Sequence, residues 1–568
     1  MDIPHEGSIL NSPWTYWLDK WFYWLLVAGI LVNASGLLLP VLEPDGALYA
    51  TISKNMLLSG DYINLRVDGN DWLDKPHFPF WIAALSFKIF GINSFAYKFP
   101  ALLFWIAGAR YTYAFAKKLY NRQVAQLSVL IYISVEHLII SNNDVRAEPY
   151  LTGLVIASAF YYYVAYKDNK WIFVLPGSLF MGMAVMTKGI FIPVMVISGF
   201  IIEWIVKKKW SEFLKFRWWL AILLLILFIS PELICLYIQF DMHPEKLVFG
   251  TTKVSGLRFF FWDSQFGRFF NTGPIKGKGD LLFYVHTLLW AFLPWSVFPI
   301  LILVSKIKKG PRLFGASADY VCGGIFISGF VIFSLSRFQL PHYLNFLYPF
   351  LAILVAKWLC RPENPVYQKI AAYTQNFICL VFFGACLALM FFYGLRPAAV
   401  IIPGLVAAGI IIYRFFPGNG IENITGRSFS AVLVVNLFLN GLFYPDLFRY
   451  QSGMAAASYL EKNNVQNPVY LFSELFPEFS FEFYSKQPVL HLKKSDLYSL
   501  KDSILIFTSQ SNMDSLRKSG FVLREIKTFR HFHISRLTGT FINHHTRNQV
   551  VDSSGLAVLF PPTGSNYK

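Results

Sequence analysis

Charged side chains are scarce in this 568-residue chain. Asp, Glu, Lys and Arg make up 15% of it, against about 25% in an ordinary soluble protein, which excludes a typical water-soluble enzyme. Cysteine is scarce too. Cys235, Cys322, Cys360, Cys379 and Cys386 sit mostly in apolar segments without C-x-x-C spacing, so neither a disulfide framework nor a zinc cluster is written there. Acidic residues are outnumbered, 33 against 50 Lys and Arg, for a formal net charge of +17. In a soluble protein that surplus would point to nucleic acid. Here the chain is 55% hydrophobic and 18% aromatic, with a mean hydropathy of +0.46. The positive-inside rule and anionic lipid heads account for the cations, and no nucleic-acid partner is expected. What the chain has in quantity is long apolar runs. Segments 190–206, 217–239, 281–304 and 371–393 are mostly apolar over the ~17 to 25 residues that a helix needs to cross hydrocarbon. The expected fold class is a polytopic α-helical membrane protein.

Thirteen spans are expected, at 22–42, 97–117, 124–140, 150–166, 171–187, 190–206, 217–239, 281–304, 318–336, 342–358, 371–393, 398–416 and 429–446. Loop charge orients them. Lys117, Lys118 and Arg122 follow the second span, Lys167 and Lys170 the fourth, and Lys207, Lys208, Lys209, Lys215 and Arg217 the sixth. Lys306, Lys308, Lys309 and Arg312 follow the eighth, Lys357, Arg361 and Lys369 the tenth, and Arg414 and Arg427 the twelfth. Cations on every second connection put the N-terminus in the cytoplasm and the C-terminus outside. Asp2, Glu6 and Asp19 precede the first span, and no small-x-small cleavage site follows a short apolar core, so the segment reads as a retained signal anchor. Asn423-Ile424-Thr425 has N-glycosylation spacing but falls in a cytoplasmic loop of this topology and reads as chance.

The chain divides into a membrane domain, 1–446, and an extracytoplasmic soluble tail, 447–568. Two expected outer loops are long, 43–96 and 240–280. In the first, Leu48, Ile52, Met56 and Leu57 predict an amphipathic helix over 47–59 lying at the interface. The second ends in a Gly-rich stretch, 271–280, suited to a mobile segment over a site. In the tail, β-rich runs at 469–472, 489–492, 504–508, 522–526 and 531–536 alternate with helical stretches such as 512–518. They predict a small α/β unit.

Ionisable residues near a membrane core are costly and mark function once snorkelling is excluded. The expected outer face gathers them in short segments. Asp45 follows Pro44 at a helix start and reads as an N-cap, a catalytic acid, or both. Lys75, within Asp74-Lys75-Pro76, stands where a snorkelling ammonium would also stand. Asp144, Arg146 and Glu148 crowd the turn before the fourth span, as a site or as a solvated loop. Lys188, at a tight turn between two spans, reads as a cap on helix carbonyls. Arg337 lies in Ser336-Arg337-Phe338-Gln339-Leu340-Pro341-His342-Tyr343, with Arg268 of the long fourth loop as a companion. His544-His545 in the tail reads as a solvated loop rather than a metal pair. Singly, none of these is specific.

Together, in chain order, they are Asp45 with Tyr49 four residues on, Ser59-Gly60-Asp61, Asp74-Lys75-Pro76, Phe90-Gly91-Ile92-Asn93, Thr187-Lys188-Gly189 and Leu340-Pro341-x-Tyr343. This set resembles the bacterial aminoarabinose transferases and their protein O-mannosyltransferase relatives, of the GT-C class of membrane glycosyltransferases. The resemblance covers essentially the whole chain. It implies sugar transfer from a polyprenyl-phosphate-linked donor at the outer face of a bacterial inner membrane, with a lipid such as lipid A, a protein hydroxyl or a glycan as acceptor. It implies Asp45 as the essential acid of the first outer loop, a general base in an inverting displacement. Lys75, Arg268 and Tyr343 would hold the lipid phosphate, with Tyr49, Lys188 and Arg337 as further substrate contacts. Glu148, a closer fit than Asp144, would be the second-loop acid.

Departures from the family pattern matter as well. Relatives often read Asp-Glu-x-x-Tyr, where this chain has Asp45-Gly46-Ala47-Leu48-Tyr49. Relatives can also place a Glu before the Lys-Pro pair and a His three residues before the arginine, a pair associated with a metal ion. The matching residues here are Asp74 and Gln265, a poor zinc set, so no metal is carried over and no cofactor is required. A retaining path needs a second carboxylate ~5 Å from the first and stays open. A transporter or lipid flippase is the alternative reading. It would put its ionisable groups near the midplane of broken helices and show internal repeats, and the sequence displays neither.

Overall fold

Apolar runs of this length bury their backbone polar groups within helices. In the computed structural model, which describes residues 13–309, 319–360, 365–472 and 478–561, each of the thirteen expected spans contains helix. Asp2 and Glu6, used above for the signal-anchor reading, and Arg312 and Arg361, used for orientation, lie outside the described residues. The bundle opens with α1 (Pro13–Ser35), α2 (Asp45–Ser59), α3 (Phe78–Phe90), α4 (Ser94–Leu119) and α5 (Arg122–Ile133). It continues with α6 (Glu136–Asn143), α7 (Glu148–Lys167), α8 (Val174–Lys188), α9 (Phe191–Val206) and α10 (Phe216–Leu236). By length and apolarity alone, seven helices among the described residues could cross a membrane, or eight if α5 and α6, bent by 51°, count as one span. The difference from thirteen has local causes. Phe191–Val206 and Val321–Leu335 are apolar but short, 281–304 is split into Phe283–Ala291 and Val297–Lys309, and α4 carries Lys98 and Arg110.

Asparagine side chains start two of these helices. Asn93 accepts from the Ala96 N–H and Asn121 from the Val124 N–H, each taking up an otherwise unbonded donor of the first turn. The core is the contact of α4 with α5 and α7, of α7 with α8, and of α8 with α10. A small residue sets the closest approach: a Cβ on Gly153 of α7 would stand 2.0 Å from the Phe104 carbonyl oxygen of α4.

The helix α2 is where expected but is not a one-faced interfacial helix. Ala47, Tyr49, Ala50, Thr51, Ile52, Ser53, Lys54 and Met56 are all buried, because α3 and the tail helix Phe479–Tyr484 both pack against it. The Lys54 ammonium donates to the carbonyls of Glu482, Phe483 and Ser485 at 2.6, 3.1 and 2.7 Å, and the Thr51 hydroxyl donates to Phe479 O at 3.1 Å. The Gly-rich stretch 271–280 is strapped down rather than loose. Asn271 and Gly277 exchange two hydrogen bonds of 2.8 Å, and a Cβ on Gly279 would meet the Ser336 carbonyl oxygen at 2.4 Å.

Two short strands, β1 (Arg66–Val67) and β2 (Asn70–Asp71), form a hairpin in the connection between α2 and α3. The tail holds β3 (Val469–Leu471), β4 (Val489–His491), β5 (Ile504–Ser509), β6 (Leu523–His531) and β7 (Asp552–Leu559) in the order β4-β3-β5-β7-β6. β3 is parallel to β4 and β5, and β7 is antiparallel to β5 and β6. A helix, Gln510–Lys518, starts from Ser509, which caps the Asn512 N–H. Two expectations fail here. The run 531–536 is not a strand, since β6 already reaches His531 with a register shift between Glu525 and Lys527. β7 lies where no strand was expected, a Ser- and Gly-containing segment buried over Ser554–Ala557 and lacking the polar alternation that marks a half-buried strand. His544 rests against the end of helix Pro365–Tyr393, its backbone N–H donating to Phe392 O at 2.8 Å.

Candidate functional site

Three clusters of opposite charge meet at the end of the bundle that carries the hairpin and the tail. In the first, Asp45 occupies the first turn of α2. It is not an N-cap: Pro44 precedes the helix with no side-chain cap, and the Asp45 carboxylate pairs with Arg146 Nη1 at 2.7 Å. Arg146, on the turn between α6 and α7, also grips Asp144 through Nε at 3.0 Å and Nη2 at 2.8 Å. One guanidinium thus serves two carboxylates. Asp45 is the more accessible of the two, with 41% of its side chain exposed against 18% for Asp144. Burial pushes the Asp144 carboxyl up despite Arg146.

The second cluster inverts that stoichiometry. Lys75 Nζ lies 2.6 Å from Asp74 Oδ2, and the Arg268 guanidinium bonds to Asp74 Oδ1. Two cations share one carboxylate. Burial alone would raise the Asp74 carboxyl, but Lys75 and Arg268 hold it down to about 2. The Lys75 ammonium is lowered, since burial outweighs the pull of Asp74. Lys75 is therefore largely enclosed in protein and paired, not snorkelling. Arg268 follows Phe259–Gly267, a stretch with i→i+5 backbone bonding of a kind that recurs at functional sites, and Phe338 lies under its guanidinium at 5.4 Å.

The third cluster joins α7 to α8. Lys188 does not cap the carbonyls of α8. Its Nζ is 2.5 Å from Glu148 Oε1 and 3.6 Å from the centroid of the Tyr343 ring, with His342 Nε2 3.7 Å from the same Glu148 oxygen. Gly189 makes the turn possible: its φ is +114°, and a Cβ there would strike the Gln265 amide at 2.2 Å. That amide donates to Lys188 O at 3.1 Å and to Ser264 Oγ at 3.0 Å.

These clusters border two adjoining cavities whose walls share Asp74, Lys75, Lys188, Arg268, Phe338 and Tyr343. One, of about 810 Å³, is faced by Phe191, Phe259, Phe260, Phe269 and Phe333. The other, of about 660 Å³, is faced by Asp45, Tyr49, Trp72, Arg146, Glu148 and His342. An apolar chamber and a polar one therefore meet at a belt of cations.

A family model described as dolichyl-phosphate-mannose-protein mannosyltransferase matches residues 74–235. Undecaprenyl phosphate-alpha-4-amino-4-deoxy-L-arabinose arabinosyl transferase 2 of Proteus mirabilis is 28% identical over 328 residues, and the corresponding transferase of Edwardsiella ictaluri is 26% identical over 329. In both cases 56% of this chain and 55% of the relative are covered, so the chain spans about half the length of these relatives. The crystal structure of ArnT from Cupriavidus metallidurans bound to undecaprenyl phosphate has the same fold, with a TM-score of 0.73 at 17% identity, covering 97% of this chain and 100% of that one. The chain is therefore similar in sequence to the aminoarabinose transferases and to the protein mannosyltransferase family model, and it shares the fold of the solved ArnT.

Asp45, Glu148, Lys75, Arg268, Tyr343, Tyr49 and Lys188, the residues singled out in the sequence, all face the polar cavity. Tyr49 stands one turn from Asp45 on α2, its ring edge-on to Trp72 and Phe80 at 5.8 and 5.4 Å. Burial raises its phenol well above the usual range, so it remains a hydrogen-bond donor. Two expected site residues fall elsewhere. Asp144 lies behind Arg146 and lines neither cavity. Arg337 is exposed and lines neither; its backbone N–H is committed to Phe269 O at 3.1 Å and its side chain faces out. The residues missed as site members are Asp74, Arg146, His342 and Phe338. Asp74, His342 and Phe338 directly adjoin Lys75, Tyr343 and Arg337, and Arg146 lies between Asp144 and Glu148; that proximity was the available signal.

Proposed function

We propose that this protein is a GT-C glycosyltransferase that transfers a sugar from a polyprenyl-phosphate-linked donor to an acceptor at the extracytoplasmic face of a bacterial inner membrane. The observation that carries the reading is the sorting of charge along one cavity: a surplus cation at Lys75, Asp74 and Arg268, and a surplus carboxylate at Asp45, Arg146 and Asp144. Breaking the bond between an anomeric carbon and a lipid phosphate builds negative charge on the phosphate. Lys75 and Arg268 meet that charge, preorganised in a partly dry site, and Tyr343 donates a hydrogen bond to it. Asp45, held in place by Arg146, takes the acceptor proton as general base.

Glu148, the other carboxylate on the cavity wall, is tied to Lys188 at 2.5 Å. That pairing blunts it as a nucleophile and favours a single inverting displacement over a covalent glycosyl-enzyme. The phenylalanine-lined chamber suits the prenyl chain of the donor. The matching mannosyltransferase family, the aminoarabinose transferases and the solved ArnT are each associated by name with a polyprenyl phosphate, which supports the same donor class. The tail acts as a platform that backs α2 and so holds Asp45.

The test is sugar transfer from a polyprenyl-phosphate donor by purified Asp45→Asn and Lys75→Ala proteins of confirmed fold. Rates about 10² to 10⁴ below wild type are expected; wild-type rates in both would remove the mechanism. Mass spectrometry of lipids, proteins and glycans from a strain lacking the chain identifies whether the acceptor is a lipid A-like lipid, a protein hydroxyl or a glycan.

A further inference from the structure

A second group of ionisable side chains lies apart from the cavity, where the hairpin touches the tail. Asp68 is at the tip of that hairpin. Asp68 and Gly69 both have positive φ, 51° and 68°, the two-residue turn that Asp-Gly favours. Glu482 comes from the tail helix Phe479–Tyr484 and His491 from the end of edge strand β4. Their ligand-type atoms all lie within 4.8 Å of one another, and none of the three residues lines either cavity.

We infer that Asp68, Glu482 and His491 form a divalent-cation site that fastens the tail to the first long connection. The deciding observation is a pair of orphaned oxygens. Glu482 is 7% exposed, and its Oε1 accepts from Asn55 at 3.1 Å, yet its Oε2 is buried without a hydrogen-bond partner, as is Asp68 Oδ1. Both orphans face the same imidazole. His491 Nδ1 is 3.6 Å from Asp68 Oδ1 and Nε2 is 3.8 Å from Glu482 Oε2, too far for hydrogen bonds. Buried carboxylate oxygens left unpaired are costly, and a cation among the three donors satisfies them.

The surroundings leave that need unmet. Lys54 is close, but its ammonium is turned to the backbone carbonyls of residues 482, 483 and 485, and Arg66 pairs with Asp71. Asn55 would orient Glu482 from behind, as outer partners of metal ligands do. Two carboxylates and one imidazole, with positions left for water, suit zinc or manganese; calcium wants six to eight oxygens. Zinc bonds of about 2.0–2.2 Å need the donors to close by up to about an ångström, a movement available to a turn tip and a strand end.

The site is tested on the full-length protein in detergent, stripped with chelator and titrated with Zn²⁺ alone by calorimetry, with metal content read by mass spectrometry. Wild type should bind zinc and gain thermal stability from it. Glu482→Gln and His491→Ala should each weaken zinc binding by roughly tenfold or more and lose the stabilisation. Asp68→Asn, a near-isosteric change at a partly exposed turn tip that the fold should tolerate, is the second arm and should do the same. A wild-type chain that takes up no zinc, or zinc binding that survives in all three variants, overturns the proposal. Sugar transfer is not the readout, so the result stands apart from the fate of the proposed activity.

Discussion

Arg146 and Asp74 each hold two partners of opposite sign, while Lys188 and Glu148 hold one another. The one-to-one pair is the easiest to probe. Glu148→Gln leaves the Lys188 ammonium enclosed beside the Tyr343 ring without a counter-charge, at a cost of about 3–5 kcal/mol. The expected result is a marked fall in thermal midpoint in detergent, largely restored in the double variant Glu148→Gln/Lys188→Met, where no buried charge is stranded. A double variant as unstable as the sum of the single ones would show that the two residues do not act as a pair. At this scale the sequence was most informative where a charged residue interrupts apolar surroundings. That signal found Asp45, Lys75, Glu148, Lys188 and Arg268. It misled at Arg337, because a charge on a turn carries no information about which way the side chain faces. His342 and Phe338 were missed because their relevance depends on Glu148 and Arg268, distant in the chain and brought near only by packing.

Among elements, α2 links the site to the tail, and its docking is tuned by buried acids. Glu43, just before α2, accepts from the Ser480 N–H at 2.5 Å, and Glu478 accepts from the Ser554 hydroxyl at 3.1 Å. Burial and the nearby Glu478 push the Glu43 carboxyl up toward neutrality, and burial does the same for Glu478. The docked form therefore binds more protons than the undocked one. Its contribution to stability is complete below the ordinary carboxyl value of 4.5 and is lost as pH rises through the elevated values. Limited proteolysis of the tail should quicken between pH 5 and pH 8, and Glu43→Gln, which mimics the protonated acid, should flatten that rise; a flat wild-type profile would contradict the assignment. The helices were legible because a long apolar run has one stable conformation in lipid. The second cover over α2 was not, since it comes from helix Phe479–Tyr484 far along the chain. β7 was hidden for a related reason: a strand buried on both faces shows no alternation.

Over the whole molecule, the bundle presents apolar flanks. The helix Ala398–Phe415 buries only Leu405, leaving a surface that lipid must cover, while the charged clusters gather at one end. The general architecture, a helical membrane domain with an α/β tail, follows from composition; the meeting of an apolar chamber with a polar one could be seen only in three dimensions. That meeting point has a kinetic consequence for the proposed reaction. A sugar-loaded carrier is a phosphodiester with a single negative charge, whereas the monoester left behind carries closer to two. Lys75 and Arg268, sharing only Asp74 between them, grip the spent carrier harder than the loaded one. Its departure then limits turnover, and rapid mixing should give a burst of about one sugar transferred per chain before a slower steady phase; a linear start would mean that the chemical step is the slow one.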